Sequence, residues 1–448
     1  HPDLTAFDVR AQNGAEGVLY SALSDEQFGA ALYEAIARRR RLRSDAGELS
    51  TGRIRIQDAL PPLTVTQSGT RIAYGDKFIL KLLRRLEPGV NPEVEVTQFL
   101  IEKAHFARVP AVAGTLEYRP EHGRASTTIG VLHTYVPHET TAWRYTIDSI
   151  GKYFEQVNLH PDQEPDRRAF GAYLDSVALL GQRTAELHIA LAHDTLDARF
   201  APEPYTDPYR LGMYHSLLNL LTRALDELRR RALDARQPRE LRAVLAAVED
   251  VSQRLRYLRS NRIEAMRIRI HGCYQLRQLL FTGRDFIVTD CEGDQRTHFA
   301  ERRKKRSPLH DIATMLLSLR RAAATARTGG VPGVVASPEN ADFLDRWGEF
   351  WYAHVSKVFL DAYREAITPS GLTPKGEQYD RTLEILVTEA ALASIEGSAS
   401  QDWIVAELRF ILDPRAATPA SIPQPAPAAP PAGLVKTGPA SSGPVVHV

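Results

Sequence analysis

The spacing of apolar residues changes character once along this chain, and that change limits the folds open to it. From about Gly52 to Pro137 they come in short runs broken by turn formers; beyond Pro137 they recur every three or four residues. Residues 63–66, 71–74 and 78–83 read as strands, with Gly69 and Gly75-Asp76 as the turns between them. A helix is expected over 92–107, then strands near 111–118 and 127–136. Upstream, a helix over 24–43 would bury a stripe of Phe28, Leu32 and Ile36. The arginines Arg38 to Arg41 fall at its C-terminus, where cations suit the helix dipole, so a solvated helix end is favoured over a nucleic-acid patch.

Helical spacing dominates the rest. Phe170, Leu174, Val177, Gly181, Thr184 and His188 share a face. Leu217, Leu218, Leu221, Leu225 and Leu228 mark another helix, and behind Pro238 Leu241, Val244, Leu245, Val248, Val251 and Leu255 mark a third. Further helices are expected from Asp311, with Ile312, Met315, Leu316 and Leu319 inward, and over 343–367 and 379–410. From about Pro414 the chain is rich in Pro, Ala, Ser and Gly, as in a linker or disordered tail. The expected class is therefore α+β and bilobal: a β-rich N-terminal lobe over 1–136, a helical C-terminal lobe over 137–413, and a tail over 414–448.

Composition removes several functions. Lys+Arg is 56 and Asp+Glu is 55, a net +1, so no global charge calls for nucleic acid or an anionic membrane. No apolar run approaches the roughly 18 to 20 residues that span a bilayer, and no signal peptide is visible after His1-Pro2-Asp3. With two cysteines, Cys273 and Cys291, neither a disulfide framework nor a Cys-ligated zinc site is supported, and a cytoplasmic location is expected. The abrupt start suits a piece of a longer protein.

One stretch interrupts the helices. Ile268 and Ile270 alternate with arginines, and His271-Gly272 turns the chain. Residues 279–281 and 286–288 form two apolar runs joined through Thr282-Gly283-Arg284-Asp285, which predicts a hairpin. The hairpin would bring Gln278 and Asp290 together beside the turn at His271, with Glu292 just beyond. Phosphoryl transfer needs this kind of assembly: a loop group to take the proton of the attacking hydroxyl, and oxygen ligands to hold Mg²⁺ on the phosphates. In the β-rich part, Gln67, Ser68, Gly69 and Thr70 make a small polar turn able to approach phosphates. Lys81 in its apolar run is either exposed or reaches the phosphates, and Glu95 on the next helix is its expected partner.

Several separate motifs, in order, resemble the bacterial maltokinases: Tyr74-Gly75-Asp76 through Lys81, 86–92, Arg183 to His188, 200–205, His271-Gly272 through Glu292-Gly293, and 301–311. The resemblance covers about residues 15–412. It implies a protein-kinase-like fold close to the aminoglycoside phosphotransferases, and ATP-dependent phosphorylation of maltose to maltose 1-phosphate for α-glucan synthesis. It implies a trehalose synthase domain or subunit as partner. It places Lys81 and Glu95 as the phosphate-orienting pair, Gln278, Asp290 and Glu292 at Mg²⁺, and residues 131–136 as the hinge near adenine. It also sets out the departures. Cys273 stands where the family has its catalytic aspartate, next to His271. Gln275 and Arg277 replace the family's usual His and Gly, and Cys291 replaces an aromatic residue. His138-Glu139-Thr140-Thr141 replaces the run that follows the hinge.

A thiol is a poor acceptor with a pKa of about 8.5, so two readings follow: a maltokinase-like enzyme with impaired transfer, or a pseudokinase that binds nucleotide or glucan beside trehalose synthase. Trp143, Trp347 and Trp351 can stack on a sugar, but a core role is favoured for each.

Overall fold

A computed structural model describes residues 5–10, 14, 16–20, 22, 25–52, 65–68, 70–121, 125–159, 167–233, 248–397 and 411–412. The helix face expected behind Pro238 and the tail after Pro414 lie largely outside these residues, and Gly69 lies wholly outside them.

The N-terminal part is built on an antiparallel sheet. A hairpin of β1 (Thr5–Arg10) and β2 (Glu16–Tyr20) precedes α1 (Glu26–Ala37). Then come β3 (Leu42–Ser44), β4 (Gly47–Thr51), β5 (Val65–Ser68), β6 (Arg71–Tyr74), β7 (Phe78–Leu82), α2 (Pro92–Glu102), β8 (Val112–Pro120) and β9 (Thr127–Thr134). The described strands β3 to β9 form one seven-stranded sheet in the order β3-β4-β8-β9-β7-β6-β5. Asp25 caps α1 by accepting from the Gln27 and Phe28 amides. The helix ends at Ala37 because Arg39 takes a left-handed backbone, φ 50°, and turns the arginine run into β3. The expected stripe is rotated: Phe28 is exposed, while Tyr33 and Ile36 are buried. Tyr33 stacks on Tyr74, whose hydroxyl donates to Gly29 O, joining α1 to the sheet. Arg38 and Arg40 both pair with Glu34, so the cationic run is spent locally.

The C-terminal part is mostly helical: α3 (Ala142–Leu159), α4 (Tyr173–Leu191), α5 (Asp207–Leu233), α6 (Val248–Ser260), α7 (Phe299–Arg302), α8 (Leu309–Ala324), α9 (Ala341–Ile367) and α10 (Gly376–Gly397). One continuous apolar cluster runs through these helices. Trp347 and Trp351 are buried in it, and Trp143 carries the Arg277 guanidinium over its ring at 4.3 Å. The expected hairpin is present, β13 (Leu279–Phe281) with β14 (Phe286–Val288), in register Leu279 opposite Val288. A short β10 (Thr140–Thr141) extends it to three strands, so the segment after β9 joins the hairpin. Elsewhere β11 (Glu203–Pro204) pairs with β12 (Met266–Arg267), shorter than the expected run through Ile270. No described helix is long and apolar enough to cross a membrane.

Helix α2 positions the site. Pro92 occupies its first turn, and the Asn91 side chain accepts from the Glu93 amide at 2.8 Å. Asn91 is buried. Asn91→Ala is expected to cost about 1 kcal/mol, read as a lower denaturation midpoint with an unchanged slope.

Candidate active site

The site is assembled around the Lys81 ammonium on β7. Its side chain is 7% exposed, and Nζ lies 3.1 Å from Glu93, 2.6 Å from Asp290 and 2.5 Å from Glu292. Burial alone would lower the lysine's pKa, but Glu93, Asp290 and Glu292 together reverse that and hold it above the ordinary value. Burial likewise opposes charge on Glu93 and Asp290, yet Lys81, together with His133 at Glu93 and Arg71 at Asp290, keeps both below the usual carboxylate range. Glu292 moves the other way: burial and then the nearby Glu93 raise it. Arg71 on β6 adds a second cation, with Nη2 at 2.7 and 2.5 Å from the two Asp290 oxygens. Asp290 itself sits in the left-handed region, φ 58°, an uncommon backbone that is enriched for aspartate and recurs at functional sites.

Glu93, and not the expected Glu95, pairs with Lys81. Two residues along a helix are roughly 200° apart, so both glutamates cannot face the sheet. Glu93 turns inward, where His133 Nε2 lies 3.1 Å from its other oxygen. Glu95 turns toward the helical part and meets Arg303 at 3.0 Å, Arg269 at 3.4 Å and Arg199 at 3.7 Å.

The turn at His271 is held by a fully buried carboxylate, Asp311 in the first turn of α8. Its oxygens accept from the backbone amides of His271 and Gly272, each at 2.8 Å, and from His188 Nε2 at 3.2 Å. Burial disfavours the charge, but the His188 hydrogen bond and the neighbouring imidazoles of His188, His271 and His310 together outweigh it, and Asp311 stays below its ordinary range. His271, expected beside Cys273 as a catalytic candidate, is committed to the loop instead. Its Nε2 is 2.8 Å from Thr289 O and its Nδ1 accepts from the Cys273 amide, which makes it a positioning residue. Gly272 and Gly293 both have φ near 80°, at 80° and 79°. A β-carbon on Gly272 would lie 3.3 Å from the Gly293 α-carbon, so the two loops touch backbone to backbone.

Cys273, Gln278, Asp290 and Glu292 line one cavity of about 1520 Å³, together with Thr70 and Lys81. Of the polar turn, Thr70 is the residue seen at the cavity; Ser68 ends β5, where its side chain is not among those described. Burial, then Asp294 and Asp311, push the Cys273 thiol up to about 11, and its sulfur accepts a 3.6 Å contact from Gln275 Nε2. At neutral pH the group at the turn is a protonated thiol. Gln278 Oε1 is buried without a hydrogen-bond partner, and ligand oxygens of Glu93, Asp290 and Glu292 lie within 4.8 Å of one another. An orphaned amide oxygen on a residue that lines the same cavity as Asp290 and Glu292 fits a hard divalent cation. Arg71, Glu93, His133 and Asp311 escaped sequence reasoning as site residues. For Glu93 the Asn91-Pro92 helix start was the available signal; for Arg71 there was none.

No protein-family profile matches the chain. Over 265 residues, 59% of this chain, it is 26% identical to a glucosamine kinase of Mycolicibacterium smegmatis, and the match spans 59% of that protein's length. Among solved structures, a glucosamine kinase (crystal form B) is similar over 90% of this chain and 91% of its own, with a TM-score of 0.60 at 18% identity. A glucosamine kinase in complex with glucosamine, ADP and inorganic phosphate is similar over 90% of this chain and 86% of its own, with the same TM-score at 20% identity. The sheet-rich N-terminal part, the helical C-terminal part and these likenesses together establish a kinase-like fold.

Two outcomes follow. Glu93→Gln, which takes a carboxylate from the buried Lys81 ammonium, is expected to lower the melting temperature, as is Glu95→Gln, which takes one from the buried Arg269 guanidinium. At pH 8 an ordinary thiol is roughly a quarter ionised and one near 11 about a thousandth. Iodoacetamide should therefore modify native Cys273 far more slowly than the same peptide in the unfolded chain, with a rate still rising above pH 10.

Proposed function

We propose that the cleft binds ATP with Mg²⁺ and that the chain is a sugar phosphotransferase whose transfer step is slowed by Cys273. Lys81, oriented by Glu93, would meet the nucleotide phosphates. Gln278 and Asp290, with Glu292 behind them, would hold the metal, which neutralises phosphate charge when bound. In transfer, a sugar hydroxyl attacks the γ-phosphorus, the bond to the bridging oxygen breaks and ADP leaves. The hydroxyl proton must pass to a neighbouring group. The neutral Cys273 thiol is badly matched to that task, and this observation carries the reading. Losing a general base typically costs about 10² to 10⁴ in rate.

The acceptor is read as a small sugar. Maltose follows from the sequence resemblance and glucosamine from the relatives' names; a trehalose synthase partner rests on the resemblance alone. The same neutral thiol favours a second reading, a pseudokinase that keeps nucleotide binding and has lost transfer. ADP formation with ATP, Mg²⁺ and either sugar separates the two. Cys273→Asp is expected to raise turnover by about 10²-fold or more. Fast native turnover, unimproved by the aspartate, would sink the impaired-base reading. No turnover in either chain, with nucleotide binding intact, would leave the pseudokinase.

A further inference from the structure

Asp290 is the residue on which the metal reading depends, and both of its oxygens already face cations supplied by the chain. Arg71 Nη2 lies at 2.7 and 2.5 Å from them, and Lys81 Nζ at 2.6 Å from one. Lys81 is fixed by Glu93 and Glu292 as well, so it stays whatever happens to Asp290. Among the described residues, the Arg71 side chain is held by Asp290 alone. Its side chain is 49% exposed, it projects from the strand that follows the polar turn, and it lines the same cavity as Asp290. The charge balance is also closed. Lys81, Arg71 and Arg302, the last 3.7 Å from Glu292, oppose Glu93, Asp290 and Glu292. A divalent ion approaching Asp290 would meet a neutral cluster and a guanidinium in its path, where like charges a few ångströms apart in a partly buried cleft repel strongly. The oxygen ligands suit the ion; the arginine in front of them does not.

We propose that Arg71 competes with the divalent cation for Asp290, so that metal binds well only when anionic phosphates draw Arg71 away. Arg71 thereby sets the cation requirement of the cleft: nucleotide phosphate first offers the guanidinium a better partner, and Asp290 is freed by that exchange. This inference rests on the nucleotide-and-metal reading above and deepens it.

The test is Mn²⁺ binding to the full chain without nucleotide, followed by the electron-spin resonance of free Mn²⁺. Arg71→Gln is expected to bind Mn²⁺ about tenfold more tightly than the native chain. Arg71→Lys, which keeps the charge, should stay closer to native, and Asp290→Asn should abolish the gain in the Arg71→Gln background. Saturating ADP should shrink the difference between native and Arg71→Gln. Equal or weaker Mn²⁺ binding by Arg71→Gln, in a chain whose circular dichroism and melting are native, would overturn the proposal. So would a gain that survives Asp290→Asn. If Arg71→Gln gains Mn²⁺ affinity while neither chain binds ADP, the competition stands and the nucleotide reading falls.

Discussion

A single buried ammonium holds the two halves of this molecule in register. Lys81 leaves a strand of the N-terminal sheet and meets one carboxylate from α2 and two from the loop after β14. Each of those acids would be costly to bury alone, and so would the lysine. Together they satisfy one another, and removing one member leaves the others uncompensated. One electrostatic requirement therefore links the sheet, α2 and the 290–292 loop, in addition to the packing of Val96, Phe99 and Leu100 of α2 in the main apolar cluster. The acids are displaced in opposite directions: Lys81 with His133 holds Glu93 down and Lys81 with Arg71 holds Asp290 down, whereas burial and then Glu93 raise Glu292.

The turn beside Cys273 shows a different balance. Asp311 keeps its charge in full burial because two backbone amides and His188 point at it. Its grip on His271 and Gly272 does not involve the Cys273 side chain. A carboxylate-to-thiol change there can leave the loop's shape intact while removing its basicity. Architecture and chemistry are thus carried by different groups in the same turn, so the loop can keep its shape around a neutral sulfur.

Much of this was legible in the sequence, for reasons visible in particular residues. The hairpin at 279–288 was readable because two three-residue apolar runs flank a turn containing Gly283, and only one register buries Leu279, Phe281, Phe286 and Val288 together. The nearness of Gln278, Asp290 and Glu292 follows from that register. The face of α2 was not readable from charge alone, since Glu93 and Glu95 look equivalent until the helix start at Pro92 sets their phase. Arg71 was invisible for another reason: its partner is 219 positions away, and nothing local separates it from any arginine on a strand. His271 was left open because a histidine beside a reactive position looks the same whether it touches substrate or braces the backbone. Only the positions of Thr289 O and the Cys273 amide distinguish these.

The arginines around Glu95 have a mechanical meaning. Arg269 and Arg303 belong to the helical half, as does Arg199, so α2 is tied to that half although in sequence it lies between strands of the sheet. Arg303 also donates to Val90 O, just ahead of α2. Any opening of the cleft would then carry α2 along with the helices and slide the sheet over it, shearing at the Lys81 contacts. In such an opening the sheet would move by itself, with the segments joining β7 to α2 and α2 to β8 as its joints.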